Sequence, residues 1–263
     1  MNIPQPTKIQ QKIQENQNTT TLLFKHPTPA QPGQFYMIWI PDYDEIPMSV
    51  SHIQHDIKGI TFRTIGEATQ ALATKKTNDL IGIRGPYGTS YHQQGNHILY
   101  VAGGTGIAML APAIEQTIKN NKKATIILGA KTKKELFFIN RLQQTNATLH
   151  ITTDDGTQGT KGYATDITKT ILQKQPTIDS IMTCGPEPMM KTLYTITRPL
   201  PFQASLERYM KCAIGICGQC TLGQGLRVCK EGPIFNEKTL QTINDFGVYK
   251  RDETGKKIYF KDL

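Results

Sequence analysis

Four of the five cysteines lie close together near the C-terminus and could bind a metal as a group. They are Cys212, Cys217, Cys220 and Cys229, while Cys184 stands apart. The first 20 residues are rich in Gln and Asn and lack the apolar segment of a secretory signal, so we expect a cytoplasmic protein. In that reducing compartment, clustered cysteines indicate a metal site rather than disulfides.

The spacing of these cysteines, C-x4-C-x2-C-x8-C, favours an iron–sulfur cluster. Its first part has the spacing of plant-type [2Fe–2S] ligands. Such a cluster needs two thiolates on each iron, and Ala213, Gly215 and Gly218 keep the loop small enough to surround it. Zinc is the main alternative, although four-cysteine zinc sites usually pair two C-x2-C units and this segment has one. A bacterial-type [4Fe–4S] cluster would need C-x2-C-x2-C, which is absent.

A glycine-rich segment in the middle of the chain could bind a phosphate. Residues 100–108 read as a strand, a turn and the start of a helix, and backbone N–H groups of such a turn can approach a pyrophosphate. An Asp-Gly loop and a Cys-Gly-Pro sequence follow later predicted strands, and would lie at the same edge of a sheet. An ordinary tight turn and a buried structural cysteine are the alternatives. The candidate dinucleotide-binding residues are Gly103, Gly104, Thr105, Gly106, Asp154, Cys184 and Gly185.

Two sequence patterns divide the chain. Up to residue 92, short β-branched or aromatic runs alternate with turn residues, which is typical of a small antiparallel barrel. Short apolar runs then alternate with helical segments, which predicts βαβ units and a parallel sheet. We therefore predict a β-barrel domain at 1–92, a Rossmann-like α/β domain at 93–203 and a turn-rich metal module at 204–263.

The predicted elements follow from these patterns. Barrel strands are predicted at Thr20–Lys25, Gln34–Ile40, Met48–Gln54, Gly59–Ile65 and Asp79–Arg84, with a turn at Gly85–Gly88. Parallel strands are predicted at His97–Ala102, Thr125–Leu128, Thr148–Thr152 and Ser180–Thr183. Helices are predicted at Glu67–Lys75, Ile107–Lys119, Lys133–Gln144, Ala164–Lys174 and Pro188–Ile196.

The barrel contains residues that could bind a flavin. A serine hydroxyl and strand backbone would hydrogen-bond the isoalloxazine ring, and the turn before the first helix would hold the pyrophosphate. The alternative is a plain strand and turn. The candidate residues are Pro47, Met48, Ser49, Thr61, Phe62, Arg63, Gly66, Ala68 and Thr69.

These motifs occur in the order found in ferredoxin-reductase-like flavoproteins. Over nearly its whole length, the chain resembles the electron-transfer subunits of NAD-dependent (class 1B) dihydroorotate dehydrogenases. The matching segments are Pro47–Ser49 (R-P-x-S), Gly66–Thr69 (G-x-G-T), Asp154–Thr157 (D-D-G-S/T), Cys184–Met189 (C-G-P-x-P-M), Ser205–Glu207 before the cysteines, and Glu231–Phe235 (D/E-G-P-V/I-F) after them. Two positions depart from the family pattern. Ile46 stands where the family often has Arg, so a charged contact to the flavin is either missing or supplied by Arg63. Ala68 replaces the second Gly of the turn, at a position that we expect to need a permissive backbone.

The resemblance implies FAD, one [2Fe–2S] cluster and NAD as cofactors. It also implies a separate FMN-containing dihydroorotate dehydrogenase catalytic subunit, in a heterotetramer with two subunits of each kind. Electrons would pass from FMN through the cluster and FAD to NAD+ as dihydroorotate becomes orotate in de novo pyrimidine (UMP) biosynthesis. No catalytic acid or base is expected among the side chains, because hydride and electron transfer need none. Ile214 and Ile216 in the cysteine loop would face the partner, although local packing could explain them equally.

Other functions remain open at this stage. Electron-transfer subunits of NADH-dependent ferredoxin:NADP oxidoreductases or of sulfhydrogenases share the architecture, and a zinc-stabilised binding module is a third possibility. Lys131, Lys133 and Lys134 could favour NADP over NAD, or be ordinary surface charge. The net charge of +9 fits a solvated basic surface or an anionic dinucleotide. We expect no nucleic-acid partner and no membrane partner, because no such binding motif and no run of about 18 apolar residues occurs.

Overall fold

The computed structural model describes residues 3–262, and it confirms the predicted combination of a barrel with an α/β sheet. A closed antiparallel barrel has the strand order β1-β2-β5-β4-β3-β6. Helix α1 lies beside it, with Ala71 and Leu72 buried in the barrel core. The barrel elements are β1 (Gln5–Asn16), β2 (Thr19–Lys25), β3 (Phe35–Trp39), β4 (Glu45–Gln54), β5 (Ile57–Arg63), α1 (Glu67–Thr74) and β6 (Leu80–Tyr87).

Strand β1 was absent from the sequence-based prediction. It is polar, and Ile9 is its one fully buried position. Pairing with both β2 and β6 holds it in place, so its backbone hydrogen bonds are satisfied without an apolar face. The predicted turn at Gly85–Gly88 was also placed too early, because β6 continues to Tyr87.

The second part is a seven-stranded sheet with the order β10-β9-β8-β7-β11-β12-β15. Its strands are parallel except β15, which pairs antiparallel with β12. Its first elements are β7 (His97–Gly103), α2 (Ile107–Lys119), β8 (Lys123–Ala130), α3 (Ile139–Gln143), β9 (Thr148–Thr153), β10 (Thr160–Lys161) and α4 (Ala164–Lys174). Then follow β11 (Ser180–Cys184), α5 (Glu187–Ile196) and β12 (Phe202–Ser205).

The helix predicted at Lys133–Gln144 is wrong in its first half. A short 3-10 turn covers Lys133–Glu135, and α3 begins only at Ile139. Phe138 has a left-handed backbone with φ of 62°, which interrupts a helix. The apolar run Leu136–Phe138 is buried in the core as an irregular segment, so tertiary burial overrides the helical pattern here.

The cysteine segment is attached to the sheet rather than separate from it. Its strand β15 extends the sheet beyond β12, and β12 itself crosses the predicted domain boundary at 203/204. The elements are β13 (Thr221–Leu222), β14 (Leu226–Arg227), β15 (Ile234–Asn236), α6 (Glu237–Thr242), β16 (Tyr249–Arg251) and β17 (Lys257–Tyr259). None of the helices between residues 3 and 262 is long and apolar enough to span a bilayer.

Candidate functional site

The four clustered cysteines come together as two neighbouring pairs. The thiols of Cys212 and Cys217 are within hydrogen-bonding reach of each other, as are those of Cys220 and Cys229. The first pair is nearer the surface, because Cys217 is exposed and Cys220 and Cys229 are buried. Across residues 3–262, no three His, Cys, Asp or Glu side chains converge tightly on one point.

The loop backbone is shaped to stabilise thiolates. The N–H groups of Ile216 and Cys217 point at Cys212 Sγ, at 3.4 and 3.5 Å, and the N–H of Cys229 lies 3.4 Å from Cys220 Sγ. Burial opposes ionisation of Cys212, but these backbone donors outweigh it and lower its pKa to about 6. Burial raises the pKa of Cys229 to about 12, and the neighbouring Cys220 adds to that rise.

This arrangement fits a binuclear cluster. A [2Fe–2S] cluster takes two thiolates on each iron, and its bridging and terminal sulfurs accept backbone hydrogen bonds. The loop turns through left-handed backbone at Ala213, Gly215 and Gly218, with φ of 61°, 78° and 72°. That curvature brings donor groups and thiols to the same side.

Two arginines that the sequence analysis did not identify hold this loop by its carbonyl groups. Arg84, on barrel strand β6, donates to the carbonyl of Cys212 at 2.9 Å. Arg227, on β14, donates to the carbonyl of Gly215 at 2.6 Å and pairs with Glu231. No local sequence motif predicts either contact, because each contact joins chain segments that come together only when the protein folds.

A cavity of about 730 Å³ lies at the carboxyl ends of the parallel strands. All seven candidate dinucleotide residues line it: Gly103, Gly104, Thr105, Gly106, Asp154, Cys184 and Gly185. Arg63 of the barrel also lines it, as do Lys250 and Phe260 of the C-terminal hairpin. This edge of an open α/β sheet is the usual place for a ligand.

Close backbone packing shapes the floor of the cavity. A Cβ at Gly106 would lie 2.1 Å from the carbonyl oxygen of Cys184, and one at Gly185 would lie 2.8 Å from the N atom of Gly103. The ends of β7 and β11 therefore meet through glycines. At Gly104, by contrast, nothing lies within 4 Å of the Cβ position, so its backbone is open to a ligand.

The cavity also contains ionisable groups, of which Glu207 was not among the predicted site residues. It lies two residues beyond the end of β12, at the same strand edge as the other loops, and this position was the signal that could have revealed it. Glu207 keeps contact with solvent, but partial desolvation by the surrounding cavity walls raises the pKa of its carboxyl group, and the charge of Lys250 partly offsets that rise. Burial raises the pKa of Cys184, and the charge of Glu207 adds to the rise, so the thiol stays protonated.

Asp154 and Lys131 lie together on another wall of the cavity. Desolvation raises the pKa of Asp154, while the charge of Lys131 acts in the opposite direction. Lys134, one of the other two lysines considered for a 2′-phosphate, lines a smaller adjoining cavity of about 210 Å³ together with Asn18 and Arg63.

The candidate flavin residues flank a point where two barrel strands separate. The pairing of β4 with β5 begins at Val50 and Ile60. Before that point, Pro47–Ser49 pair with β3, whereas Thr61–Arg63 pair with β2. The facing edges of these two segments are therefore outside the β4–β5 ladder, where a ring could reach backbone groups.

The side chains of this region divide between core and surface. The Thr61 hydroxyl bonds Ser51 and Thr21 inside the barrel, both at 2.8 Å, and Phe62 belongs to the barrel core. Only the backbone of these two residues is left for a ligand. Arg63 is solvent-accessible and lies 3.6 Å from Glu135, and Ile46 packs against the barrel core.

The Gly66–Thr69 turn leads into α1. The Thr69 hydroxyl lies 3.0 Å from the N atom of Gly66 and is engaged within its own turn. Ala68 lies in the first turn of the helix and is not among the residues with positive φ, so the expectation that this position needs a permissive backbone was wrong. Met48, Ser49 and Pro47 are half-buried and lie outside the 730 Å³ cavity.

Comparisons with known proteins agree with this architecture. Residues 207–241 match the iron–sulfur cluster binding domain of dihydroorotate dehydrogenase B, and residues 100–194 match the oxidoreductase NAD-binding domain. A solved structure of an NADH-dependent reduced ferredoxin-NADP oxidoreductase superposes with a TM-score of 0.80 at 27% identity, covering 90% of this chain and 89% of that one. The ferredoxin reductase of carbazole 1,9a-dioxygenase shares the fold, with a TM-score of 0.65 at 18% identity over 73% and 64% of the two chains.

The fold and the paired cysteines define a ferredoxin-reductase-like flavin and iron–sulfur oxidoreductase subunit. A protein of Methanocaldococcus jannaschii is 43% identical over 99% of this chain and 100% of its own length. One of Methanothermobacter thermautotrophicus is 40% identical over 98% of each chain. Both carry the name "Probable dihydroorotate dehydrogenase B (NAD(+)), electron transfer subunit". The chain belongs to this family of electron transfer subunits.

Proposed function

We propose that this chain passes electrons between a dihydroorotate-oxidising catalytic subunit and NAD+, through a [2Fe–2S] cluster and FAD, in pyrimidine biosynthesis. One observation carries the proposal: relatives with this name match it over its full length, at up to 43% identity. The cofactors suit the task, because a flavin exchanges two electrons with a nicotinamide and single electrons with an iron–sulfur cluster.

We assign the cluster to Cys212, Cys217, Cys220 and Cys229. Their arrangement in two pairs supports this assignment, as do the N–H groups directed at Cys212 and Cys220. The backbone N–H groups of Ile216, Cys217 and Cys229 supply the donors that surround the sulfur atoms. The protein's part is to hold the ligands without rearrangement when the charge of the cluster changes.

We assign the nicotinamide nucleotide to the 730 Å³ cavity. Gly104 leaves backbone accessible for a phosphate, and Arg63 and Lys131 supply positive charge on the walls. The protonated thiol of Cys184 and the carboxyl group of Glu207 lie on the wall formed by the ends of β11 and β12. They would contact the part of the nucleotide that lies over these strand ends.

We assign FAD to the place where β4 and β5 separate, with Pro47, Met48 and Ser49 on one side and Thr61, Phe62 and Arg63 on the other. Gly66, Ala68 and Thr69 would contact its pyrophosphate at the start of α1. The separation of the two strands, which leaves these segments outside the β4–β5 ladder, supports this assignment.

The partner is a catalytic subunit, for which we propose FMN and a complex with two subunits of each kind. Ile216 is 78% exposed beside the cluster ligands, whereas Ile214 is half-buried, so Ile216 is the better candidate for the interface. The domain boundaries at residues 92 and 203 and the cytoplasmic location remain predictions.

The direct test is an anaerobic assay with dihydroorotate, NAD+, this chain and the FMN-containing catalytic subunit of the same organism. We expect NADH to form only when both proteins are present. The catalytic subunit alone should still reduce an artificial dye, which provides the control. Failure of a fully loaded chain to support NADH formation, with the dye reaction intact, would contradict the proposal.

A second candidate is an electron-transfer subunit of an NADH-dependent reduced ferredoxin-NADP oxidoreductase. The observation in its favour is the structural match with a TM-score of 0.80. Two measurements distinguish the two candidate functions. The cofactor-loaded chain is reduced with NADH or with NADPH, and it is then mixed with a dihydroorotate-oxidising subunit or with a ferredoxin-NADP oxidoreductase partner. The first proposal expects NADH and the dihydroorotate-oxidising partner to be the effective pair.

A further inference from the structure

A buried arginine joins the barrel to the cysteine loop. Arg84 lies on β6 with its side chain only 8% exposed. Its Nε and Nη2 atoms contact the two carboxylate oxygens of Glu45 on β4, both at 2.6 Å. Such a two-point pair fixes the orientation of the guanidinium group.

The remaining donors of Arg84 point out of the barrel. Its Nη1 lies 2.9 Å from the carbonyl oxygen of Cys212, and its Nη2 lies 3.2 Å from that of Lys211. The guanidinium carbon also lies 5.6 Å from the centre of the Tyr87 ring. Arg84 therefore contacts the backbone of a cluster ligand from outside the ligand loop.

The charged groups beside Cys212 therefore have a fixed arrangement. The carboxylate of Glu45 is behind the guanidinium group, which stands between it and the Cys212 carbonyl. An arginine in a protein keeps its charge at any accessible pH. A fixed positive charge nearby favours the more negative, reduced form of an iron–sulfur cluster, and local charge and hydrogen bonds are known determinants of cluster potential.

We propose that Arg84 is a positioning residue that fixes the cysteine loop on the barrel and raises the reduction potential of the cluster, and that Glu45 moderates this effect. The inference rests on the proposed function, since it takes Cys212 as a cluster ligand. By this inference, a residue of the barrel, outside the cysteine segment, influences the reduction potential of the cluster.

The test is redox titration of the purified, cofactor-loaded chain, followed by electron paramagnetic resonance of the reduced cluster. Arg84→Gln removes the positive charge, so we expect a shift to more negative potential. Glu45→Gln removes the opposing negative charge and leaves the arginine, so we expect a shift to more positive potential. A purely structural role would move both variants in the same direction or neither.

Arg141 provides the matched control. It also pairs with a glutamate, Glu115, and donates to a carbonyl of another domain, that of Ser51 at 2.9 Å, but it does not contact the cysteine loop. Arg141→Gln should leave the potential and the resonance spectrum of the cluster unchanged. If Arg84→Gln loses its iron, Glu45→Gln together with the charge-preserving Arg84→Lys decides the question.

Opposite shifts for the two primary variants support the inference. Equal potentials in wild type, Arg84→Gln and Glu45→Gln, or shifts of the same sign, overturn it. If Arg84→Lys has to replace Arg84→Gln, two results together support the inference. The cluster potential must rise in Glu45→Gln and must stay near the wild-type value in Arg84→Lys. Any other combination overturns the inference. A wild-type chain that shows no [2Fe–2S] signal would overturn the proposed function itself, so the two failures are distinguishable.

Discussion

The cysteine loop and the nucleotide cavity build their binding sites in different ways. The loop uses four side chains of one kind within 18 residues, and backbone groups orient them. The cavity uses backbone at the ends of strands β7, β8, β9 and β11, which are far apart in sequence. A site built from side chains of fixed spacing can be recognised in a sequence, whereas a site built from strand ends becomes visible only when the topology is known.

The two sites should also respond differently to substitution. Loss of one ligand removes a bond that nothing else can replace, so the cluster should fail completely. Loss of one side chain in the cavity leaves most of the backbone contacts in place. The cavity should instead be sensitive where glycine allows two strands to touch.

The largest effect should follow replacement of a cluster ligand. Cys220→Ala leaves one iron with a single thiolate and supplies no oxygen ligand instead, so we expect loss of the iron–sulfur absorption and of bound iron, while flavin stays bound. Iron, sulfide and flavin analysis checks this. Cys184→Ala is the control and should retain the cluster, because Cys184 lines the cavity instead. A Cys220→Ala protein with wild-type iron and sulfide content would refute the ligand assignment.

The next largest effect should arise where the cysteine segment meets the cavity. Arg208 contacts Glu187 at 2.5 and 3.1 Å, and their side chains are 3% and 6% exposed. Arg208→Met leaves the buried carboxylate without its charged partner, which should lower the free energy of unfolding by about 3–5 kcal/mol. Anaerobic denaturant unfolding measures this loss.

An exposed pair is the matched comparison for Arg208. Lys25 and Asp56 are 3.7 Å apart, with side chains 64% and 57% exposed. Lys25→Met should change stability by only ~0–1 kcal/mol, because solvent screens the pair. Equal losses in the two variants would mean that burial of the Arg208–Glu187 pair contributes nothing special.

A moderate effect is expected at the floor of the cavity. Gly106→Ala places a Cβ against the Cys184 carbonyl, so the start of α2 and the end of β11 must move apart. Overpacking of this kind costs about 1–3 kcal/mol, which corresponds to roughly 5- to 150-fold weaker NADH binding if it falls on the bound geometry. Equilibrium titration of NADH measures the change. Unchanged NADH affinity in Gly106→Ala would contradict the close-packing explanation.

The effect that is smallest at neutral pH is expected at His52, away from both sites. Burial, with the charge of Arg141 as a smaller cause, lowers the pKa of His52 to about 3. An unfolded histidine takes up a proton near pH 6.5 and the folded one does not, so stability should fall as pH drops from about 6.5 towards about 3. The slope is at most about 1.4 kcal/mol per pH unit. His52→Asn should flatten this part of a stability–pH curve, and an unchanged slope would show that His52 does not cause it.

Sequence reasoning succeeded where local spacing carries the signal. The cysteine pattern, the bounds of α2 and α4, and the strands β7 and β11 were accessible, because apolar runs and turn residues mark them. It failed at β1, whose twelve residues are mostly polar and largely solvent-accessible, since pairing with two neighbours stabilises that strand rather than an apolar face. The interrupted segment before α3 failed for the opposite reason, because burial of Leu136–Phe138 overrides a helical pattern.

Contacts between distant segments were the other part that the sequence could not reveal. Arg84 lies 128 positions before Cys212, and no spacing rule connects them. Glu207 was visible as part of a motif, but its place on the cavity wall depends on β12 lying next to β11. Such residues are recognised only after the barrel and the sheet have been placed together.

The visible spectrum of the anaerobically purified chain, recorded before and after addition of NADH, would show whether NADH, flavin and cluster form one electron-transfer chain. We expect flavin absorption with a broader iron–sulfur contribution at longer wavelength, and bleaching of both by NADH in the wild type. In Cys220→Ala, NADH should bleach the flavin alone. A protein that stays colourless after reconstitution with iron, sulfide and FAD would refute the assignment of a flavin and an iron–sulfur cluster to this chain.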